Sequence, residues 1–286
     1  CDDGLVYTLN DMCQDGVCAG ELAPCFDTIQ FGDALRIQSM LVGDDGNPGQ
    51  GLDVDGDPDT CQPSGTYSDG SPICSEGIDN KFALVDIIMN KEIPGQIDDG
   101  SIHFLLEFQD WTNDGTPFEL SLLDGKPDPA DPGCDFNQPG CQFLAALSGF
   151  DGECNRVMGF DNATMNGYHV SAGGPGHIIA ISMPLLGDLI VQLTIYHARL
   201  EADVTVTDNT VTALTGILAG ALNRDEIMAA IDLVPEESLP MSKDQIIGLL
   251  NLLLTPDIDV DGDGTAESIS LGLLIEADAA TITGVY

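Results

Sequence analysis

Leu189-Ile-Val-Gln-Leu-Thr-Ile-Tyr-His-Ala-Arg-Leu-Glu-Ala-Asp-Val-Thr-Val-Thr207, then Asp208-Asn209, then Thr210-Val-Thr-Ala-Leu-Thr-Gly-Ile-Leu218, is the stretch that decides the fold. It is dense in β-branched residues, and apolar and polar positions alternate as in a half-buried strand. Asp208-Asn209 is a turn signal, so the second run pairs back on the first as a hairpin. The run from Asp188 to Thr207 is long for one flat strand, and a bend midway is expected.

Working upstream, strand signals recur at His177–Met183, Phe118–Leu123, Ile102–Phe108 and residues 31–42. A short helix is expected from Lys81 to Asn90, capped by Asp79 or Asn80, with Phe82, Val85, Ile88 and Met89 on one face. Downstream the period changes. Asn223-Arg-Asp-Glu226 and Ser242-Lys-Asp-Gln245 fit capping boxes and open two helices. Ile269–Ile275 through to Val285 returns to strand. The expected fold is α+β and β-dominated: a large, mostly antiparallel sheet or sandwich with a helical pair packed on it near the C-terminus. Residues 1–30 read as a cysteine-rich arm or module and 31–286 as the main domain. No apolar run reaches the roughly 18 residues that a transmembrane helix needs.

The chain has 286 residues with 48 acids and 8 bases, a net charge of −40. Such a field repels phosphate backbones and anionic lipid heads, which excludes nucleic acid and anionic membrane surfaces as partners, and it attracts cations. Of the acids 36 are Asp and 12 are Glu. An excess of Asp beside Gly points to short loops with converging carboxylates, because Asp favours turns and is a hard oxygen ligand.

All nine Cys lie in the first 154 residues, mostly in Gly/Pro/Asp-rich segments, with no CxxC pair. Disulfides are the default reading, and they imply an oxidising, exported setting. Cys61–Cys74 and Cys134–Cys141 would each close a loop of turn residues. Cys1 either carries a lipid or pairs within the arm.

Residues 1–20 (Cys1-Asp-Asp-Gly4, Asp11-Met-Cys13, Gly16-Val-Cys18-Ala-Gly20) resemble a short cysteine-rich module of secreted proteins in myxobacteria and related bacteria. Tyr7 stands where that pattern often has Cys. The 257–267 loop, Cys74–Asn80 and Ala198–Asp203 are similar to uncharacterised, Asp-rich calcium-loop proteins of the same group. The resemblance implies an extracellular or cell-surface address and calcium, and no activity.

The strongest constellation is Asp257-Ile-Asp259-Val-Asp261-Gly262-Asp263-Gly264-Thr265-Ala-Glu267. Alternate carboxylates face one point when the loop curls, Gly264 permits the turn, and the Thr265 carbonyl adds a ligand. Ser270 stands at the twelfth position, so this is a Ca²⁺ loop other than an EF-hand. Asp53-Val-Asp55-Gly56-Asp57-Pro-Asp59, after Asp44-Asp45-Gly46-Asn47, is the second candidate. Asp110, Thr112 and Asp114 in a D-x-T-x-D-G turn are the third. Asp124, Asp128, Asp131 and Asp135 form a fourth acidic stretch. Catalytic signals are weak: no G-x-S-x-G, H-E-x-x-H or phosphate loop occurs. His169, His177 and His197 read as core or surface residues ahead of a metal site, Glu107 and Glu119 as strand faces ahead of a catalytic pair, and Trp111 and Tyr67 as packing ahead of a sugar platform. The expectation is an extracellular calcium-binding structural protein that self-associates into a filament, tube or matrix, and no enzyme. The alternative is a surface lipoprotein or binding module for a glycan or protein.

Overall fold

A computed structural model describes residues 4–5, 7–14, 17–44, 50–62, 64, 66, 68–70, 77–186, 189–233 and 242–286. Cys1, Asp45-Gly46-Asn47, Tyr67, Cys74 and Asp188 lie outside these residues. The strands are β1 (Thr8–Gln14), β2 (Val17–Leu22), β3 (Asp33–Val42), β4 (Phe104–Gln109), β5 (Phe118–Pro127), β6 (Cys141–Ala145), β7 (Gly159–Asn166), β8 (His169–Gly173), β9 (Ile178–Leu186), β10 (Leu189–Thr207), β11 (Thr210–Asn223) and β12 (Ser268–Val285). The helices are α1 (Asp86–Asp98), α2 (Arg224–Leu233) and α3 (Lys243–Leu253).

β3, β4, β5, β7, β8, β10, β11 and β12 hydrogen-bond in that order, each neighbouring pair antiparallel, and β12 returns to β3. The expected large antiparallel sheet is present, and it is neither flat nor a sandwich: it closes into an eight-stranded barrel. The physical reason is β12, which pairs with β11 along Ser268–Asp278 and with β3 along Leu273–Ala280, so neither side of the sheet is left as an edge.

The long run identified in the sequence does change course midway. β10 pairs first with β9, up to Tyr196, and then with β8, from Arg199 onward. At the break His197 has φ +50°, and the register against β11 shifts between Tyr196 and Arg199. This bulge resets the alternation: Leu193 and Ile195 face the interior before it, and Ala198, Leu200, Ala202 and Val204 after it. A second shift between Glu276 and Ala277 of β12 does the same for β3, where Leu35 and Ile37 and then Met40 and Val42 all reach the core.

Inward side chains form one apolar cluster that includes Leu120, Leu122, Met165, Val170, Leu214, Leu218, Leu271 and Leu273. α1 covers one flank through Ile93 and Ile97, and α2 contributes Ile227 and Ile231. The helix expected at Lys81–Asn90 is instead a 3₁₀ turn at Lys81–Val85 followed by α1, which runs through Pro94 to Asp98. Asn80 makes no capping bond there, because its side chain is spent on tertiary contacts. The expected capping box at α3 is present, with Ser242 and Gln245 bonding reciprocally.

β6 adds a feature the sequence did not reveal. It pairs parallel to the end of β12 and antiparallel to the end of β5, so β3, β4, β5, β6 and β12 close a second, smaller circuit. Its apolar filling comes from the outward residues Ala34, Leu105 and Leu123, joined by Phe143, Phe150 and Ile282. The disulfide Cys25–Cys154 ties residues 24–27 to this cluster across 129 positions, and the rings of Phe26 and Phe150 meet edge-on at 5.6 Å. Cys134–Cys141 is the local disulfide expected from the spacing. Cys61 is also disulfide-bonded, and Cys74 lies outside the described residues.

A buried cation pins this end of the molecule. Arg36 donates to the carbonyls of Ile97 (2.6 Å) and Phe136 (2.7 Å) and to Nδ1 of His103 (3.0 Å). Burial, with the Arg36 charge beside it, pushes His103 down to about 4.

The barrel wall leaves no room at two glycines of β11. A Cβ on Gly220 would stand 2.3 Å from Cγ2 of Ile195, and one on Gly216 would stand 2.3 Å from Cβ of Ala202. Gly220→Val is therefore expected to destabilise the protein by about 1–3 kcal/mol. The check is the urea midpoint at unchanged slope; a midpoint equal to wild type would contradict so close an approach of β10 and β11.

Candidate metal centres

The two acidic loops singled out in the sequence lie side by side on the outer face of β11 and β12. Val54 of one and Ile258 of the other are buried with Ala219 and Ala221, and Leu52, Ile217 and Val260 complete this small apolar seam. Burial of the apolar residues between the carboxylates fixes where the loops sit.

In the first loop, one carboxylate oxygen from each of Asp53, Asp55 and Asp79 lies within 4.8 Å of the others. Asp53 accepts from the Gly56 amide (2.6 Å), and Asp55 accepts from the Asp57 amide (2.8 Å) and the Thr60 hydroxyl (2.9 Å). These bonds curl the loop. Asp57 and Asp59 are exposed and stand outside the cluster; the Asp57 carboxylate accepts the Asp59 amide (3.0 Å).

Asp79 is the residue that spacing did not reveal as a ligand. It is 1% exposed and accepts the amides of Val54 (2.9 Å) and Asp55 (3.3 Å) through Oδ2. Burial pushes its carboxyl up to about 7, the two amides oppose the rise, and the charges of Asp55 and Asp257 add to it. It has no ion-pair partner among the described residues. Its neighbour Asn80 seats the loop on the barrel by donating to the carbonyls of Gly43 and Gln50 and accepting the Gly272 amide (2.9 Å).

In the second loop Asp259, Asp261 and Glu267 bring carboxylate oxygens within 4.8 Å of one another. Asp259 accepts the amides of Gly262 (2.8 Å), Asp263 (3.2 Å) and Gly264 (2.7 Å), which hold its carboxyl below the usual range. Gly262 and Gly264 have φ of +78° and +90°, and that left-handed backbone aims three successive amides at one side chain. Glu267 accepts the Val260 amide (2.9 Å). Asp263 and Thr265 are exposed and outside the cluster.

Asp257 is turned the other way. Its two oxygens accept the amide (2.9 Å) and hydroxyl (2.5 Å) of Ser270, and burial raises its carboxyl. The same Ser270 hydroxyl accepts the Lys81 amide (2.8 Å). Ser270 thus connects the segment that carries Asp79 to the base of the second loop.

The remaining candidates lie apart. Asp114 accepts the Thr112 hydroxyl (2.7 Å) and the Thr116 amide (3.0 Å), which hold its carboxyl at about 2. With Asp110 at φ +50°, this forms the turn between β4 and β5, where no three ligand groups meet among the described residues. Asp131 lies beside Cys134 and Cys141, whose sulfurs are committed to their disulfide. His169 bonds Asp203 (2.8 Å) and Glu201 (3.0 Å), whereas His177 bonds Asp161 (3.1 Å). Glu107 is buried against Arg156, and Trp111 donates to Asp33 (2.8 Å) at the edge of the core.

A carboxyl held above its ordinary value binds protons that the unfolded chain releases. Without a cation, Asp79 therefore makes stability fall as pH rises from about 4 to about 7. His103, pushed down, contributes the opposite slope between about 4 and 6.5. The effect is accordingly read as the difference between wild type and Asp79→Asn. In chelator, Asp79→Asn is expected to melt above wild type at pH 7.5 and to lose that advantage at pH 4.5. Each kcal/mol corresponds to about 2–4 °C at this chain length. Added Ca²⁺ should raise the wild-type midpoint and leave the variant nearly unchanged; equal responses in both proteins would remove Asp79 from the site. No family model, curated protein or solved structure matches this chain, so the functional reading rests on its own geometry.

Proposed function

We propose that this chain is an extracellular calcium-binding structural protein in which Ca²⁺ clamps two acidic loops to the outside of a disulfide-bonded barrel. The observation that carries the reading is Asp79: a carboxylate 1% exposed, facing Asp53 and Asp55, with no ion-pair partner among the described residues. Leaving such a group charged and unpaired is expensive, and a divalent cation removes the penalty. The donors are all carboxylate oxygens, the chemistry of Ca²⁺ ahead of zinc or copper. Asp259, Asp261 and Glu267 offer a second set of the same kind. The disulfides and the resemblance of residues 1–20 to secreted modules favour an oxidising, extracellular setting.

Self-association is the structural half of the proposal. β1 and β2 form a two-stranded sheet of their own, on which Leu9, Met12 and Leu22 are exposed. A hairpin that exposes large apolar side chains suits contact with a neighbouring copy. A net charge of −40 opposes such contact until cations neutralise facing carboxylates.

Sedimentation of the purified chain, titrated with Ca²⁺ and then with chelator, tests both halves. Large particles that form and dissolve reversibly are expected. A monomer that only gains thermal stability would retain the clamp and discard the assembly, favouring a surface-binding module. A chain that Ca²⁺ neither stabilises nor assembles would overturn the proposal.

A further inference from the structure

A cleft of about 430 Å³ opens on the outside of the barrel where β5, β7 and the start of β9 meet. Its walls include Glu119, Arg156, Val157, Asp161, His177 and Ile178. It is distinct from the two acidic loops and takes no part in the calcium reading.

The guanidinium of Arg156 is fixed before any ligand arrives. Its side chain is 9% exposed. Nε and Nη2 donate to the two oxygens of buried Glu107 (3.0 and 2.7 Å), Nη2 also donates to the Gln30 carbonyl (2.8 Å), and the group lies over the rings of Phe31 and Phe150. Nη1 makes no hydrogen bond among the described residues. Among the described residues Glu119 has only a long bond from the Ser121 hydroxyl (3.4 Å) and no ion pair within contact distance; burial raises its carboxyl and the Arg156 charge opposes the rise. His177 and Asp161 meet at 3.1 Å on the opposite wall. At the rim Val157 and Ile178 are 50% and 57% exposed, large apolar side chains beside an open polar cleft.

This combination selects the ligand by exclusion. Glu119 and Asp161, with Glu107 already matched to Arg156, make the cleft negative in a protein of net charge −40, so an anion is repelled. A simple alkylammonium would satisfy the carboxylates and leave the Arg156 guanidinium in the cleft wall against a second cation. A neutral ring with several hydroxyls meets both demands: its oxygens accept from Arg156, its hydroxyls donate to Glu119 and Asp161, and its C–H edge covers Val157 and Ile178. The volume lies within the range of about 300–1,000 Å³ common for small-ligand sites. We infer that this cleft binds a neutral sugar unit, free or at the end of a polysaccharide.

The test is an amide NMR titration of the full chain, at constant Ca²⁺, with glucose, galactose, N-acetylglucosamine and the disaccharides cellobiose, maltose and chitobiose. Pull-down on insoluble cellulose and chitin separates polymer ends from free sugars. At least one sugar is expected to give saturable shifts at Gly159, Asp161, Gly176 and His177. Glu119→Gln and the highly exposed Asp161→Ala should each weaken it roughly tenfold, the loss of one hydrogen bond to a charged group. The inference is overturned if no sugar or polymer binds, if binding is unchanged in both variants, or if butylammonium saturates the same amides while the sugars do not.

Discussion

β12 is hydrogen-bonded on both sides, to β11 along one edge and to β3 along the other, and the rest of the molecule depends on that double pairing. It closes the barrel and encloses the apolar faces of eight strands. Its far end carries β6 and so closes the second, smaller circuit. Its outward face supplies the seat for both acidic loops: a Cβ on Gly272 would stand about 3 Å from the backbone of Gln50 and Gly51, and Ser270 holds Asp257. One strand thus links core, disulfide-bonded flank and candidate metal centres.

The electrostatic pattern is asymmetric in the same way. Two of the eight bases are used inside, each on a defined partner: Arg36 on carbonyls and His103, Arg156 on Glu107. Most of the carboxylates, far outnumbering the bases, are left to face solvent or one another. Where three of them converge and one is buried, no protein cation answers among the described residues, and an external cation would be the chemical complement. On the proposed reading calcium would act as part of the fold, holding loops whose backbone amides already curl around Asp53, Asp55 and Asp259.

The barrel also separates its two candidate surfaces. The acidic loops occupy the outside of β11 and β12, whereas the cleft at Glu119 and Arg156 lies on β5 and β7.

The local elements were legible in the sequence because they depend on neighbours along the chain. Alternation in 189–207 and 210–218 placed the long hairpin, Ser242 and Gln245 placed a helix start, and the seven-residue spacing of Cys134 and Cys141 placed a disulfide. Alternating Asp-x-Asp marked Asp53, Asp55, Asp259, Asp261 and Glu267 as carboxylates that meet. Tertiary structure alone decided the rest. Closure required β12 to find β3 from the other end of the chain, a pairing that no local period encodes. Asp79 joined Asp53 and Asp55 because bridges from Asp79 to Leu52 and Gln62 carry it there. Asp257 left its own loop motif because Ser270 lay beneath it. In each case the deciding contact is long-range, so the sequence names the residue and only the folded chain names its partner.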